Sequence, residues 1–237
     1  MKTITQIVED GAAEFGLALP SAAAEAFEKY YEVLEEQGRH INLTAIKKPE
    51  EVSRLHFLDS LALLKAADFK NARVIDIGSG AGFPGIPLKI AEPTIEMTLI
   101  DATNKRVQFI NDICAALGMD AACICARAEE SSHEPDMREQ FDIATSRAVA
   151  SLNILSELCL PFVRVGGLFL AMKSTEAQDE VEQALSAIET LGAHIENTTD
   201  YIIPGTETTH RIISIRKIVP TPQTYPRRYA KIKRAPL

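Results

Sequence analysis

The segment at residues 73–87, R-V-I-D-I-G-S-G-A-G-F-P-G-I-P, constrains the fold of this chain more than any other. Its apolar, β-branched beginning predicts a buried strand at 73–77. Four glycines follow within eight positions, and glycine lets a ligand approach the backbone closely. The next residues are typical of a helix, with Pro84 or Pro87 suited to its N-terminus. This order of elements places a nucleotide-like ligand at the carboxyl end of a strand.

The glycine spacing leaves two classes of ligand open. Gly80, Gly82 and Gly85 fit G-x-G-x-x-G, which is typical of dinucleotide sites. A carboxylate of Asp76 pointing into the turn would repel a pyrophosphate, but it would suit the ammonium and sulfonium of S-adenosylmethionine. Asp101 ends the next predicted strand, where an acidic side chain can bind the ribose hydroxyls of either ligand. The residues therefore predict a nucleoside site, with an NAD-dependent oxidoreductase as the alternative to a methyltransferase.

Strands and helices alternate after residue 73, which predicts an α/β fold with a mostly parallel sheet and right-handed crossovers. The predicted strands are 73–77, 95–101, 121–126, 141–145, which leads into Ser146 and Arg147, and 168–173, with helices at 104–117, 152–163 and 176–191. Two last strands, 195–203 and 212–218, are expected to form a hairpin. The polar segment 131–140 is expected to be a lid or a plain loop.

The first part of the chain is predicted to be helical. We divide the chain into an N-terminal helical extension at 1–65 and a Rossmann-like domain with a basic C-terminal tail at 66–237. One helix is expected to end at Gly38, because glycine is common just after helices. Another is expected to begin at Pro49. The extension is interpreted as a helical cap on the main domain.

His56 and Asp59 lie three residues apart and therefore on one face of the predicted helix. As a pair they would be able to move a proton. A hydrogen bond on the helix surface, or a residue covering the cofactor, is the alternative. Because this spacing is common by chance, we favour the structural reading.

The C-terminal part is strongly basic. From Arg211 onward the chain has eight Lys and Arg residues and no acidic residue, and Tyr225 and Tyr229 lie among them. Basic side chains with interleaved aromatic rings suit phosphate contact and base stacking, whereas a purely solubilising tail is the alternative. The residues predicted to bind RNA are Arg211, Arg227, Arg228, Lys231, Lys233 and Arg234.

Composition narrows the remaining possibilities. The net charge of −8 argues against a bulk electrostatic nucleic-acid binder, so RNA contact is expected to be local. The four cysteines form no C-x-x-C pair, which disfavours zinc and favours a reducing compartment. No apolar run suits a membrane span or a signal peptide, so we expect a cytoplasmic protein without a metal or a membrane partner.

Seven stretches, in order from residue 41 onward, carry a resemblance to one family. They read I-N-L-T-A-I at 41–46, H-F-L-D-S-L at 56–61, D-I-G-S-G-A-G-F-P-G-I-P-L at 76–88, L-I-D-A-T-N-K-R at 99–106, R-A-E at 127–129, D-I-A-T-S-R-A-V-A at 142–150 and Y-P-R-R-Y at 225–229. The glycine loop alone is shared by many methyltransferases and dehydrogenases, but the combination is specific. The sequence resembles the bacterial small-subunit ribosomal RNA guanine-N7 methyltransferases, historically called glucose-inhibited division protein B.

The resemblance implies a Rossmann-like class I methyltransferase fold with seven strands, the last one antiparallel. It implies S-adenosylmethionine as methyl donor, and a guanine N7 in the 530 loop of 16S ribosomal RNA, within the 30S subunit, as acceptor. Together with the argument from the residues, it predicts a cofactor site formed by Asp76, Gly78, Gly80, Phe83, Asp101, Ala102, Thr103, Ala128, Glu129 and Arg147. One departure is Tyr229-Ala230, where the family often has glycine and proline.

Guanine N7 carries a lone pair and no proton, so its methylation needs no general base. We therefore expect no catalytic acid, base or nucleophile, and we assign to Arg147 a role in positioning the guanine. An ion pair of Arg147 with Asp76 or Asp101 is the structural alternative. A small-molecule methyltransferase, and an RNA-binding module with a vestigial Rossmann core, are the remaining alternatives. The basic tail argues against the first and the complete set of strand-end residues against the second.

Overall fold

The computed structural model describes residues 2–41, 46, 48–175 and 178–237. A seven-stranded sheet forms its centre, in the order β3-β2-β1-β4-β5-β7-β6. The strands are β1 Arg73–Ile77, β2 Glu96–Asp101, β3 Ala121–Cys125, β4 Phe141–Arg147, β5 Val163–Ser174, β6 Ala193–Ile202 and β7 Thr209–Lys217. β1 to β5 pair in parallel, and β7 pairs antiparallel with both β5 and β6. The predicted sheet and its terminal hairpin are confirmed.

Helices cover both faces of the sheet. They are α1 Ile4–Glu14, α2 Ala23–Ile41, α3 Pro49–Val52, α4 Asp59–Leu61, α5 Gly85–Ala91, α6 Asn104–Leu117, α7 Ala128–Ser131, α8 Leu152–Cys159, α9 Gln178–Thr190 and α10 Tyr229–Arg234. A π-helical turn, Ser53–Leu58, joins α3 to α4, and 3-10 turns follow α4 and α8. α6 has the predicted bounds and ends at Gly118, whose φ of 58° is the left-handed conformation that glycine favours.

Several predicted boundaries were wrong, and three of them have an identifiable cause. α2 does not end at Gly38 but continues to Ile41, because an isolated glycine inside a helix costs only about 1 kcal/mol. The helix expected at 152–163 becomes a 3-10 turn at Leu160–Phe162, which contains Pro161. β5 begins at Val163 rather than at residue 168, since the strand runs through the Gly166-Gly167 pair.

Some sequence predictions concern residues outside the described ranges. Positions 42–45 of the I-N-L-T-A-I motif lie outside the described residues, as do positions 176–177 at the predicted start of α9.

Alternate residues of β1 point to opposite faces of the sheet, as the two-residue period of a strand requires. Val74 belongs to an apolar cluster that includes the buried side chains of α1 and α2. Ile75 and Ile77 belong to a second cluster, which contains the buried side chains of α8 and α9. The N-terminal helices thus share one core with the sheet they cover. The proposed division of the chain at residue 65 remains a prediction.

Candidate functional site

A cavity of about 560 Å³ opens at the carboxyl ends of β1, β2, β3 and β4. Its walls also include the π-helical turn, α8 and the C-terminal segment. The lining residues are His56, Ile77, Gly78, Ser79, Gly80, Ala81, Phe83, Ile100, Asp101, Ala102, Thr103, Arg106, Ala126, Arg127, Ala128, Glu129, Arg147, Ala148, Val149, Leu158 and Tyr229. This volume suits a ligand of cofactor size.

The glycine loop after β1 is held from behind by the N-terminal extension. The hydroxyl of Tyr30, on α2, donates a hydrogen bond to the carbonyl oxygen of Ala81 at 2.6 Å. Gly82 has φ of 96°, and a Cβ there would lie 2.4 Å from Ile86 and 2.9 Å from the Tyr30 hydroxyl. Only glycine fits both that conformation and that space. Tyr30 is fully buried, so the loop rests on a rigid support.

Asp101 lies in the middle of the cavity, where β2 ends. Its Oδ1 accepts from the backbone N–H of Thr103 at 2.8 Å. Its Oδ2 accepts from the backbone N–H of Gly80 at 3.1 Å and from the Arg106 guanidinium at 3.3 Å. Oδ1 keeps capacity for a further donor, because a carboxylate oxygen accepts two hydrogen bonds. Asp101, the residue predicted to bind the ribose, is thus oriented by the glycine loop that it faces.

Asp76 occupies a different place from the one expected. Its carboxylate does not point into the open turn, and it lies beneath the loop with no solvent exposure. It accepts from the backbone N–H of Gly85 at 3.2 Å and from the Thr145 hydroxyl at 3.1 Å. Burial raises the pKa of Asp76 to about 6, although these hydrogen bonds oppose the rise. Asp76 is therefore not among the lining residues of the cavity.

Arg147, at the end of β4, is fixed by the N-terminal extension. Its guanidinium donates to Oδ2 of Asp59 at 2.9 Å and to the Leu55 carbonyl oxygen at 3.2 Å. The structural alternative of an ion pair with Asp76 or Asp101 was wrong, because Asp59 takes that place.

Asp59 is the centre of this group of side chains. It is 1% exposed, and its Oδ1 also accepts from the Tyr201 hydroxyl at 2.6 Å and lies 2.8 Å from Nδ1 of His210. Burial alone would raise the pKa of Asp59, but His210, Arg147 and Tyr201 outweigh burial and lower it. Asp59 is therefore a buried carboxylate that joins the N-terminal extension to β4, β6 and β7.

Rings stack beside this group. The His56 ring lies 4.6 Å from the Phe83 ring, and Tyr30 stacks on Phe83 at 5.3 Å between centroids. The Arg147 guanidinium lies 5.0 Å from the Phe83 centroid. Burial and then the Arg147 charge lower the pKa of His56 to about 4, so the ring is neutral at pH 7. Neither His56 nor Asp59 is a helix-surface residue: His56 lines the cavity and Asp59 holds Arg147.

The six residues predicted to bind RNA fall into two groups. Arg227 forms an ion pair with the fully buried Glu157, and Arg211 forms one with Asp200. The other four are exposed side chains on or next to α10: Arg228, Lys231, Lys233 and Arg234. The last four therefore present charge to solvent, whereas Arg227 connects the C-terminal segment to α8.

Nine of the ten predicted cofactor residues meet around one cavity: Gly78, Gly80, Phe83, Asp101, Ala102, Thr103, Ala128, Glu129 and Arg147. The sequence prediction did not include Arg106, Val149 or Tyr229. Arg106 was within reach of sequence reasoning, since it lies in the first turn of the helix that follows Asp101. Tyr229 was not, because its position depends on contacts made across the whole fold.

Two negative findings concern the described part of the chain. No group of three or more His, Cys, Asp or Glu residues there is arranged to hold a metal ion. Within the same ranges, no helix has the length and apolar character needed to cross a membrane.

Comparison with known proteins gives consistent results. A family model described as GidB, rRNA small subunit methyltransferase G, matches residues 23–204. A relative from Acetivibrio thermocellus is 41% identical over 235 residues, which is 99% of this chain and 97% of the relative. A relative from Caldanaerobacter subterraneus subsp. tengcongensis is 45% identical over 238 residues, which is 100% of this chain and 99% of the relative. Both relatives are named Ribosomal RNA small subunit methyltransferase G.

Solved structures share the fold at low sequence identity. A SAM dependent methyltransferase from Aquifex aeolicus aligns with a TM-score of 0.55 and 12% identity, over 74% of this chain and 97% of the other. A structure from work on conversion of a disulfide bond into a thioacetal group during echinomycin biosynthesis aligns with a TM-score of 0.56 and 16% identity, over 79% of this chain and 93% of the other. The Rossmann-like methyltransferase fold predicted from the sequence is confirmed.

Proposed function

The chain belongs to the rRNA small subunit methyltransferase G family, and from this we propose that it transfers a methyl group from S-adenosylmethionine to N7 of a guanine in the 530 loop of 16S ribosomal RNA. The observation that best supports this proposal is that the Asp101 carboxylate, the glycine loop and the Arg147 guanidinium line one cavity. Family membership also decides against the NAD-dependent alternative that the glycine spacing left open.

The residues of the cavity fit this cofactor. Asp101 offers a carboxylate for the ribose hydroxyls, and the backbone of the glycine loop lies beside it. Asp76 contributes negative charge beneath the loop once its carboxyl is ionised, which favours a cationic sulfonium and ammonium. His56 is neutral at pH 7, so it adds no opposing positive charge.

When bound, S-adenosylmethionine supplies a methyl group on a positively charged sulfur. The chain then has to align the guanine with that group and exclude water, because N7 attacks with its own lone pair and needs no base. Alignment alone is a large source of rate acceleration. The rigid supports of the site agree with this requirement: Tyr30 holds the glycine loop and Asp59 holds Arg147.

Arg147 is the residue to which we assign the positioning of the guanine. Its guanidinium lines the cavity, and the Asp59 ion pair fixes its direction. An arginine with N–H groups to spare can donate to guanine O6 or to a phosphate while N7 stays open to the methyl group. Arg147 forms its ion pair without involving Asp101, so that carboxylate stays available to the cofactor.

The RNA is proposed to approach along α10. Arg228, Lys231, Lys233 and Arg234 are exposed there. A second cavity beside the first shares Arg127, Glu129 and Tyr229 with it and is also lined by Arg228. Phosphate contacts supply most of the affinity of such a surface. A substrate in the 30S subunit would place the protein in the cytoplasm, with neither a membrane nor a metal partner.

The test is methyl transfer from labelled S-adenosylmethionine to 30S subunits that lack the modification, with N7-methylguanine mapped by strand cleavage. We expect incorporation at one guanine of the 530 loop, and a loss of at least about 100-fold for Arg147→Ala, because alignment is the main contribution of the site. Transfer to another position or to a small acceptor would overturn the proposed substrate. Normal transfer and RNA affinity in Arg147→Ala would overturn the assigned role of Arg147.

A further inference from the structure

Tyr229 belongs to the C-terminal segment, yet it forms part of the wall of the cavity. The sequence pattern suggests RNA contact for this segment, and the family often has glycine and proline at positions 229–230. We propose that Tyr229 is a cofactor-binding residue of this chain and that its ring stacks on the adenine of S-adenosylmethionine. This inference rests on the proposed function and adds a residue to its site.

The position of the adenine follows from the order of the strands. Asp101, the proposed ribose ligand, ends β2, which lies between β1 and β3. Arg147 ends β4, on the far side of β1, so the reacting methyl group belongs on the β1 and β4 side. Ribose carries the sulfonium arm at C5′ and the base at C1′. With the arm directed toward the glycine loop, the base extends toward the end of β3.

The cavity at that end is lined by apolar side chains together with the charged residues Arg127 and Glu129. Ala126 and Ala128 flank the end of β3, Leu158 faces them from α8, and Tyr229 completes the wall. The same four side chains form or pack against one apolar cluster of the fold. Small apolar side chains beside an aromatic ring suit the face of a purine, because a base stacks on an aromatic side chain through its own flat face.

The chain is anchored on both sides of Tyr229. On one side Arg227 donates through its backbone N–H and Nε to Oε1 of Glu157, each at 2.8 Å, and through Nη2 to Oε2 at 2.5 Å. On the other side Ile232 of α10 is fully buried. Because Arg227 and Ile232 are both anchored, the backbone around Tyr229 loses little conformational entropy when a ligand binds. Pre-organisation of this kind favours affinity.

The carbonyl groups before Arg227 are anchored as well. The Arg138 guanidinium donates to the carbonyl oxygens of Thr221 at 2.9 Å and Tyr225 at 3.0 Å. Nε2 of His133 lies 3.0 Å from the carbonyl oxygen of Pro226. The backbone of the segment before Tyr229 is therefore anchored at several points, and Tyr229 lines the cavity from this anchored segment.

The first experiment measures the Kd of S-adenosylmethionine and S-adenosylhomocysteine by calorimetry without RNA. Base stacking on an aromatic ring is worth about 1–3 kcal/mol, so Tyr229→Ala is expected to raise both Kd values by about 10-fold or more. Tyr229→Phe keeps the ring and is expected to stay within about twofold of the wild type. 5′-Methylthioadenosine carries the adenine without the amino acid, and its Kd is expected to rise by the same factor in Tyr229→Ala.

The second experiment uses the absence of tryptophan from the chain. Tyr229→Trp introduces a single reporter, whose fluorescence is expected to be quenched as S-adenosylhomocysteine saturates the site. Tyr225→Trp is the matched control, because Tyr225 lies in the same segment and is not a lining residue of the cavity. Its emission is expected to remain constant.

Three results would overturn the inference while leaving the proposed function intact. The first is unchanged affinity of Tyr229→Ala for all three ligands. The second is constant emission of Tyr229→Trp at saturating ligand, and the third is a loss of affinity confined to ligands that carry the amino acid. Failure of the wild-type protein to bind S-adenosylmethionine would instead remove the proposed function, and this inference with it.

Discussion

The carboxylate of Asp59 accepts a hydrogen bond from the Arg147 guanidinium at 2.9 Å across 88 residues of sequence. Asp59 is 1% exposed, and the side chain of Arg147 is 15% exposed. The aspartate therefore holds the guanidinium in one direction, at the edge of the cavity. The ion pair therefore links α4 of the N-terminal extension to the arginine that we propose to position the guanine.

Asp59→Asn is expected to lower the rate of methyl transfer, because Arg147 loses the charge that fixes its direction. Removing one partner of a buried ion pair typically costs about 3–5 kcal/mol, so the free energy of unfolding should fall by a similar amount. Single-turnover transfer and urea unfolding measure the two effects. Glu196→Gln removes an exposed ion pair with Arg216 and serves as the control, with little change expected in either. Normal transfer in Asp59→Asn would contradict the positioning role.

Tyr30→Phe is expected to weaken S-adenosylmethionine binding although Tyr30 lies outside the cavity. The substitution leaves the Ala81 carbonyl oxygen without the buried hydroxyl that donates to it, at a cost of about 1–3 kcal/mol. Calorimetry should show a higher Kd. Phe27→Leu, on the same face of α2, reduces core packing and leaves this hydrogen bond in place. If both variants bind the cofactor equally well, the loop does not depend on Tyr30.

Asp76→Asn is expected to change how stability depends on pH. The folded pKa of about 6 is above the ordinary value of 3.8, so the folded protein binds this proton more tightly than the unfolded chain. The contribution of Asp76 to the free energy of unfolding is fully present below about pH 3.8 and is lost as the pH rises through about 6. The difference in unfolding free energy between the wild type and Asp76→Asn should therefore fall across that window.

His56 acts in the opposite direction within the same window. Its folded pKa of about 4 is below the ordinary 6.5, so its contribution is present above pH 6.5 and is lost as the pH falls through about 4. Because His56 is present in both proteins, its contribution to the free energy of unfolding cancels when the wild type is compared with Asp76→Asn.

The affinity for S-adenosylmethionine should also rise as the pH passes through about 6, in the wild type only, because Asp76 becomes ionised there. A flat difference between pH 4 and 7 would contradict the assigned pKa.

Ala148→Gly is expected to stabilise the protein. Ala148 has φ of 56°, in the left-handed region, where a side chain costs about 1 kcal/mol that glycine does not. A gain of that size corresponds to a rise in Tm of about 2–4 °C for a chain of this length. Ala150→Gly is the matched control, since its φ is not positive and the substitution should destabilise. Equal changes in Tm in both variants would contradict the explanation from the left-handed conformation of Ala148.

Arg227 and Arg228 are neighbours in sequence with different expected roles. Arg228→Ala should weaken binding to 30S subunits and reduce the salt slope of log Kd by roughly 0.7–0.9, as expected for one lost phosphate contact. Arg227→Ala leaves Glu157 buried without its partner, so it should lower Tm while the salt slope changes less. Titrations at several salt concentrations and thermal unfolding separate the two. A larger salt effect for Arg227 would reverse the assignment.

The part of the site that follows the strand ends was predictable from the sequence. Buried parallel strands bring their carboxyl ends to one edge, so Gly78, Asp101 and Arg147 meet whatever the details of the loops. Local chemistry also predicted α6, because its end is marked by a glycine in the left-handed conformation. These features depend on a few neighbouring residues each.

The remaining features depend on contacts between distant segments. The glycine at position 38 indicated a helix end, but tertiary packing of the apolar face of α2 carries the helix past it. The tail indicated RNA contact, yet Arg227 pairs with Glu157, 70 residues earlier. No local pattern reports that Asp59 lies beside Arg147 or that Tyr30 lies under the glycine loop.

The hydrogen bond between Tyr30 and Ala81 also has a consequence for quality control of this chain. A ligand stabilises only the states that bind it, by an amount set by its concentration relative to Kd. The cavity requires α2 behind the loop and the segment after residue 220 at its far wall, so it is complete only when both are docked. Cofactor in the cell is therefore expected to stabilise the fully docked fold more than partly folded chains.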